Sequence, residues 1–453
     1  MKFYSKPILE HPEVPVADEG RFEELVSNWD NKRTTENRSE NNNCYVVSLG
    51  EGDLSGQLAE ILSLVQTQGD HIVGHETVNL LYPNPKTLIG KGKAQEISDR
   101  AIEAGANLLV IDAELSPSQM RNLEDITGIS VCDREAIILN VFSKHAKTKR
   151  SKIQVEIAHL EYLRPRIRGL GLDMDQQASS VVTGRGPGET ASAMLARKLD
   201  GRLLELKKAL SRIKKTDSTQ RTGRKKSKQI TLVGYTNAGK TSLMNALTKA
   251  ALSAKDKPFE TLDTTTRCLS DYGGDVLLSD TVGFIRRLPE SLLSSFESTL
   301  DGIKDASLIV MVVDASDSEK ELHIETTQKL LNKIGADKIP CLYVFNKIDL
   351  LTSDIPGSNI ERLSDGHKFL KASSEDSVSV KNLREKLLSE VHSEHLKCKL
   401  LVPYKAREVF KLIYSKCRVL ETEAKEDGLL FSLEGEPHIV TNIRERIKEV
   451  QND

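Results

Sequence analysis

Gly234-Tyr235-Thr236-Asn237-Ala238-Gly239-Lys240-Thr241 is the stretch that decides how this chain folds. It fits G-x-x-x-x-G-K-[ST] and lies between the strand-like run ITLV and the helix-like run TSLMNALTKA. A glycine-rich turn from strand to helix is the setting in which such a loop cradles phosphate. Glycines let the backbone amides turn inward, the helix N-terminus adds partial positive charge, the lysine reaches the β- and γ-phosphates, and the hydroxyl ligates Mg²⁺. Here those side chains are Lys240 and Thr241.

Outward from the loop, the runs QITLVG, DVLLSD, SLIVMVVDAS and IPCLYVFN are each followed by loop and helix signals. That is the rhythm of a doubly wound, mostly parallel sheet. Asp280-Thr281-Val282-Gly283 follows DVLLS, which puts a carboxylate at the end of a buried strand, where it holds Mg²⁺ through water while the Gly283 amide meets the γ-phosphate. Asn346-Lys347-Ile348-Asp349 follows CLYVF. One carboxylate at Asp349 accepts from both N1–H and the exocyclic amine of guanine. Adenine presents an acceptor at N1 and no amine there, so it leaves the carboxylate unpaired. Ser373-Ser374-Glu375, after HKFLKA, is the candidate loop that supports the base with backbone amides.

Between these motifs, Phe259-Glu260-Thr261-Leu262-Asp263-Thr264-Thr265-Thr266-Arg267 offers hydroxyls to close on Mg²⁺ and the γ-phosphate. Thr261 is the first candidate for the second Mg²⁺ ligand beside Thr241, and Thr264 the second. Phe284 stands where many GTPases carry the glutamine that orients the attacking water, so unaided hydrolysis is expected to be slow. Asn237 has two readings, a loop hydrogen bond or a contact to a monovalent cation such as K⁺ near the phosphates. Arg286 and Arg287 are open between partner contacts and surface charge.

At 453 residues the chain exceeds one ordinary core and divides into several domains. Its net charge of −2 disfavours a globally basic nucleic-acid binder. The six cysteines are scattered without a C-x-x-C pair, which argues against structural zinc and against a disulfide framework. No run approaches the ~20 apolar residues of a membrane span, and the N-terminus lacks an apolar signal segment. A cytoplasmic location is the expectation.

The first segment, 1–43, reads as a loosely ordered arm, because NKRTTENRSENNN has too little apolar surface to offset chain entropy. Residues 44–148 alternate strand and helix signals (CYVVSL, TLIGKG, NLLVID and VCD among them) and predict a small parallel α/β domain. Residues 149–228 predict two paired helices, with Ile153, Ile157 and Leu160 on one and the heptad-like Leu199, Leu203, Leu206, Leu210 and Ile213 on the other. The stretch between them, with Gly169, Gly171, Gly184, Gly186, Pro187 and Gly188, is expected to be non-helical. Arg164, Arg166 and Arg168, with the basic exit Arg212 to Lys228, form either a phosphate-contacting stripe or a solvated face. The GTP-binding domain spans 229–396, and a small α+β domain spans 397–453. The fold class is thus α/β multidomain.

GYTNAGKTSLMNALT, FETLDTTTR, DTVGFIRRLPESLLSSFESTL, NKID and RGPGET together closely resemble the HflX family of translation-associated GTPases, relatives of the Obg group. The likeness extends to TLIGKGKAQEI, CDREAIILNVF and SKIQVEIAHLEYLRPRIRGLG, so it covers roughly Val46 to the C-terminus. It implies Mg²⁺-dependent hydrolysis of GTP to GDP and phosphate, slow alone and stimulated by ribosomes. The protein would act as a monomer on the large (50S) ribosomal subunit and its rRNA, near the peptidyl transferase centre, in splitting, rescue or biogenesis. It also implies rRNA contacts from the hairpin arginines and from Arg185 in the Gly-rich loop. In one departure, the family's string of glycines before T-R-G-P-G-E-T is replaced by Ala178-Ser179-Ser180-Val181-Val182-Thr183-Gly184, which reduces backbone freedom. The alternative is a nucleotide-gated RNA or ribosome binding module with little hydrolysis. Asp349→Asn is predicted to shift preference away from GTP in competition binding with ATP, and retained guanine selectivity would contradict the base-reading role.

Overall fold

The computed structural model describes residues 42–179, 191–223, 227–248, 259, 265–269, 276–289, 292, 300, 302–351, 359–364, 366–391, 396–435 and 437–452. Residues 1–41 of the expected N-terminal arm and the centre of the Gly-rich loop lie outside them, and the arm's last residue, Asn43, instead begins the first strand.

Strand β1 (Asn43–Gly50) carries six consecutive buried residues, Cys44 to Leu49. A strand apolar on both faces belongs inside a parallel sheet. It pairs in parallel with β2 (His71–Asn79) and β3 (Leu108–Asp112), and β4 (Ser130–Asp133) completes the order β2-β1-β3-β4. Helices α1 (Ser55–Gln68) and α4 (Arg134–His145) pack together, as do α2 (Lys91–Glu103) and α3 (Pro117–Thr127). The chain reverses direction across the sheet between β1 and β3, where the Ser48 hydroxyl donates to Asp112 at 3.2 Å. Such switch points gather polar side chains at strand ends. TLIGKG is not a strand: Asn84 and Leu88 close a turn, Leu88 adopts φ +63°, and α2 begins at Lys91.

Helices α5 (Lys149–Ser179) and α6 (Ala191–Gly223) pack along each other. Ile153, Ile157 and Leu160 are buried with Leu199, Leu203 and Leu206. Ion pairs Arg202–Glu156 (2.8 Å), Lys207–Glu161 (2.7 Å) and Arg164–Asp200 (2.7 Å) cross between the helices. One expectation is corrected, since α5 continues through Gly169 and Gly171 to Ser179. Isolated glycines cost a helix about 1 kcal/mol each without ending it, and Leu170 between them with Leu172, Met174 and Gln176 after them favour the helix.

The hairpin is bolted to the α/β domain through the fully buried Asp133. Its carboxylate accepts from the Ala136 amide (2.9 Å) and so caps α4, from the Tyr162 hydroxyl (2.9 Å), and from Arg166 (2.8 Å). Arg166 also donates to the Leu115 carbonyl at 3.0 Å and stacks 3.4 Å from the centre of the Tyr162 ring. Burial, and then Asp133, push the Tyr162 phenol well above its usual range, so it remains a donor. Arg166, expected on an outward RNA-facing stripe, is therefore turned inward, because Asp133 offers it a desolvated carboxylate. Arg164 stays half-exposed in its pair with Asp200.

The second sheet has the order β10-β9-β8-β5-β7-β6: β10 (Phe369–Lys371), β9 (Cys341–Asn346), β8 (Leu308–Asp314), β5 (Lys228–Val233), β7 (Val276–Asp280) and β6 (Thr265–Cys268). All neighbours are parallel except β6 with β7. Alternate residues feed two cores. Ile230 and Leu232 join α7 (Lys240–Thr248) and α10 (Ser377–Val391), whereas Val233 joins α8 (Lys320–Lys333). The short α9 (Asn359–Leu363) adds Ile360 to the second core.

The last unit is an antiparallel sheet, β11 (Leu396–Pro403), β13 (Gly428–Gly435) and β12 (Arg418–Lys425), ordered β11-β13-β12. Helices α11 (Arg407–Lys416) and α12 (Pro437–Asn452) cover it through Val409, Ile413, Val440 and Ile443. Among the described residues, all six cysteines are free thiols, and no helix is long and apolar enough to cross a membrane.

Replacing Arg166 leaves Asp133 buried with less compensation. Arg166→Ala is predicted to lower stability by about 3 kcal/mol, read from the shift of the denaturant midpoint. An unchanged midpoint would return Arg166 to an outward role.

Candidate nucleotide site

The loop after β5 is shaped by two close approaches. Gly234 has φ +149°, and a Cβ there would overlap the Val312 carbonyl of β8. Gly239 has φ +84°, and a Cβ would overlap the Asn346 amide. Between them Asn237 takes φ +62°, a left-handed conformation that asparagine tolerates better than most residues. Helix α7 then begins at Lys240, so the loop amides and the helix N-terminus face the same space.

Lys240 is buried, and its ammonium donates to the carbonyls of Gly234 (3.0 Å) and Tyr235 (2.7 Å) across its own loop. Burial lowers its pKa to about 8, against a smaller upward pull from Asp280. The Thr241 hydroxyl donates to Asp280 at 2.7 Å, and Asp280 ends β7 with no solvent exposure.

The segment after β7 is seated on the loop. The Thr281 hydroxyl donates to the Leu232 carbonyl at 2.7 Å, and Val282 is buried. The Phe284 amide donates to Gly234 (3.1 Å), and the Thr236 amide donates back to Phe284 (2.8 Å). Gly283 is held so close that a Cβ would come 2.8 Å from Thr236 Cγ2 and 3.2 Å from Lys240 Nζ. The Phe284 ring fills the core beside Val233 and Ile309, so this position faces away from the nucleotide space.

On the other side, the Asn346 amide donates to the Ala238 carbonyl at 3.1 Å, which ties the 346–349 segment to the 234–241 loop. Lys347, at φ +60°, pairs with Asp314 at 2.8 Å. Asp349 is exposed and accepts from the Ser373 hydroxyl at 2.5 Å. The Ser373 oxygen also accepts from the Glu375 amide (3.2 Å), and the Ser373 amide donates to Ser379 (3.0 Å). The structure therefore brings Gly234 to Thr241, Asp280 to Gly283, Asn346 to Asp349 and Ser373 to Glu375 to one end of one sheet. Phe259 is buried, edge-on to Phe142 at 4.6 Å, whereas Glu260, Thr261, Leu262, Asp263 and Thr264 lie outside the described residues, as does Arg185.

Sequence reasoning did not anticipate that the α/β domain touches this site. Tyr235, Phe259, Val282, Ile285 and Leu292 share one hydrophobic cluster with the α/β domain and hairpin. Polar contacts join them: the Tyr235 hydroxyl donates to Glu60 of α1, and Arg134 of α4 donates to Glu60 and, at 2.8 Å, to the Arg286 carbonyl. No linear motif marks Glu60 or Arg134. The one signal was the position of DREAIILN after a buried strand, which places Arg134 at a strand end.

Three family models match consecutive stretches. "GTP-binding GTPase N-terminal" covers residues 55–143, "GTP-binding GTPase Middle Region" covers 145–224, and "50S ribosome-binding GTPase" covers 229–347. A GTPase HflX of Gluconacetobacter diazotrophicus is 36% identical over 403 residues, spanning 86% of this chain and 85% of the relative. This chain belongs to the HflX family of GTPases. It is a GTP-binding, GTP-hydrolysing enzyme. The HflX GTPase of Caldanaerobacter subterraneus subsp. tengcongensis is 34% identical over 394 residues (86% of this chain, 89% of the relative), and that of Escherichia coli 39% over 297 (65% and 70%). Among solved structures, the SsGBP–GDP complex covers 77% of this chain and 98% of its own, at 25% identity and a TM-score of 0.46.

For this HflX-family chain, contact of Lys240 with phosphate, which its motif implies, would link nucleotide binding to pH through this low pKa. In the free protein the ammonium loses its proton near pH 8, and the charge of a bound triphosphate raises that value again. Between the two values binding takes up a proton, so affinity falls as pH rises above about 8, by at most about tenfold per pH unit. Calorimetry with a GTP analogue at pH 9, in two buffers of different ionisation heat, is expected to show net proton uptake; its absence would contradict this role of Lys240.

Proposed function

We propose that this protein is a GTP-driven switch that acts on the large ribosomal subunit, in splitting, rescue or biogenesis. The observation that carries the reading is that kinship with HflX GTPases extends over the α/β domain and hairpin as well as the GTPase domain. The family model over 229–347 is described as a 50S ribosome-binding GTPase, which agrees with it.

In this reading the amides of Tyr235 to Thr241 cradle the phosphates, and Lys240 leaves its two carbonyl partners for the β- and γ-phosphates. Asp349 reads guanine while Ser373 holds that carboxylate in place, with Asn346, Lys347, Ser374 and Glu375 around it. Gly283 contacts the γ-phosphate, which ties the 280–286 segment to the state of the nucleotide. The Thr241 hydroxyl and Asp280 carboxylate, 2.7 Å apart, are hard oxygen donors that fit Mg²⁺. Thr241 would ligate it directly, Asp280 through water, and Thr261 would add a second ligand. The ion supplies charge neutralisation between the β- and γ-phosphates. Asn237 is a candidate K⁺ contact. With Phe284 packed inward, this chain offers no side chain at that position to orient water, so turnover is slow until the ribosome is engaged. Arg164, Arg168 and Arg185 remain candidate rRNA contacts, and the protein acts as a cytoplasmic monomer.

The burial of Phe284 also favours the second reading, a nucleotide-gated ribosome or RNA binding module with little hydrolysis. Steady-state GTP hydrolysis, alone and with purified large subunits, separates them. A ribosome-acting GTPase predicts stimulation of about tenfold or more, specific for GTP over ATP. Unstimulated turnover with GTP still bound would transfer the assignment to the binding module.

A further inference from the structure

The contact between the α/β domain and the phosphate loop is built from interlocking polar groups. Glu60 lies one turn along α1 from Gly56 and is almost wholly buried. Its carboxylate accepts from Arg134 and from the Tyr235 hydroxyl. Arg134 is buried and donates a second time to Asp112 at 2.6 Å, so Glu60 is fixed from its own domain before it meets the other. Tyr235 is in turn sandwiched: its ring stacks on His323 of α8, 3.7 Å between centres at 10°. Its hydroxyl oxygen accepts the Arg286 amide at 2.9 Å. The Arg286 carbonyl is taken by Arg134 at 2.8 Å, and its guanidinium by Glu319. Glu319 fits flush against α1 because residue 56 is glycine; a Cβ there would overlap its carboxylate. Both backbone polar groups of Arg286, three residues past Gly283, are thus held by a P-loop tyrosine and an α/β-domain arginine that Glu60 bridges.

We propose that Glu60 is a positioning residue for the nucleotide site, contributed by the α/β domain, and that it restrains the 283–286 segment against the movement that triphosphate binding requires. The proposal rests on the reading above in which Gly283 contacts the γ-phosphate. Any advance of Gly283 toward that phosphate carries Arg286 with it and pulls on the Tyr235, Arg134 and Glu319 contacts. The α/β domain thereby sets the preference between GTP and GDP, and a ligand that shifts this domain changes the preference in turn, because coupling between two sites is reciprocal.

The test is the ratio of dissociation constants for GDP and a non-hydrolysable GTP analogue, measured on the full chain by fluorescent-nucleotide titration. Glu60→Gln keeps the shape and removes the charge; Tyr235→Phe removes only the hydroxyl and leaves Glu60 with Arg134. Each is expected to shift the ratio toward the triphosphate by roughly three- to tenfold, the range of one lost hydrogen bond. The double variant is expected to shift it no further than either single, because the two side chains act through one contact. Unchanged ratios, a shift toward GDP, or additive effects would overturn the proposal, and a lowered melting temperature with an unchanged ratio would mark Glu60 as structural only. If Glu60→Gln does not fold, Tyr235→Phe alone decides. Failure of the unsubstituted chain to prefer guanine nucleotides would count against the site assignment instead, a separate result.

Discussion

Two backbone hydrogen bonds, Phe284 to Gly234 and Thr236 to Phe284, seat the segment after β7 on the phosphate loop. They constrain what surrounds them. Gly234 and Gly283 have no room for a Cβ, the Phe284 ring is committed to the core, and Lys240 is enclosed with its ammonium on two loop carbonyls. A side chain as long as glutamine at position 284 would have to leave that core to reach water. Fixing the loop and burying residue 284 therefore come from the same geometry, and the absence of a water-orienting residue at 284 follows from it.

A second constraint is electrostatic. The α/β domain buries Asp112, Asp133 and Arg134 almost completely, together with Arg166, and isolated charges at such depth are strongly unfavourable. Here they are paired in sequence: Asp133 with Arg166 and the α4 N-terminus, Asp112 with Arg134, and Arg134 with Glu60. Burial works against the Arg134 charge, but Asp112 and then Glu60 outweigh it and keep the guanidinium firmly charged. Asp133 spends its partners inside the domain and fastens the hairpin. Arg134 and Glu60 leave one hydrogen-bonding direction each for the GTPase domain, so this contact is specific in register rather than merely apolar.

Most of the GTPase domain was legible in the sequence because its function is written in contiguous stretches. The octet 234–241 sits between a strand and a helix, and Asp280 and Asn346 each end an apolar run, so the spacing of motifs and strands carried the fold. Strand β2 was missed because His71–Asn79 is an edge strand of half-exposed, polar residues that lacks the apolar density of β1 or β3. The glycines at 169 and 171 were taken as breakers, but the rest of their helix outweighs two isolated propensity costs. Arg166 illustrates the deeper limit. Its charge grouped it with the neighbouring arginines on an outward face, but the buried Asp133 it answers to lies 33 residues away, and only the fold shows that they meet. Glu60, Tyr235 and Arg286 are further still from being readable, since their contact joins residues 175 positions apart.

In the coupling proposed above, the state of the nucleotide is felt by the α/β domain through the seated 280–286 segment. Hydrogen exchange measured by mass spectrometry, comparing the GDP-bound chain with the GTP-analogue-bound chain, tests it most directly. Such coupling predicts changed protection in peptides containing Thr236 and Phe284 to Arg286, and together with them in peptides from α1 around Glu60 and the start of α4 around Arg134. Changes confined to the GTPase domain, with α1 and α4 indifferent to the nucleotide, would contradict it.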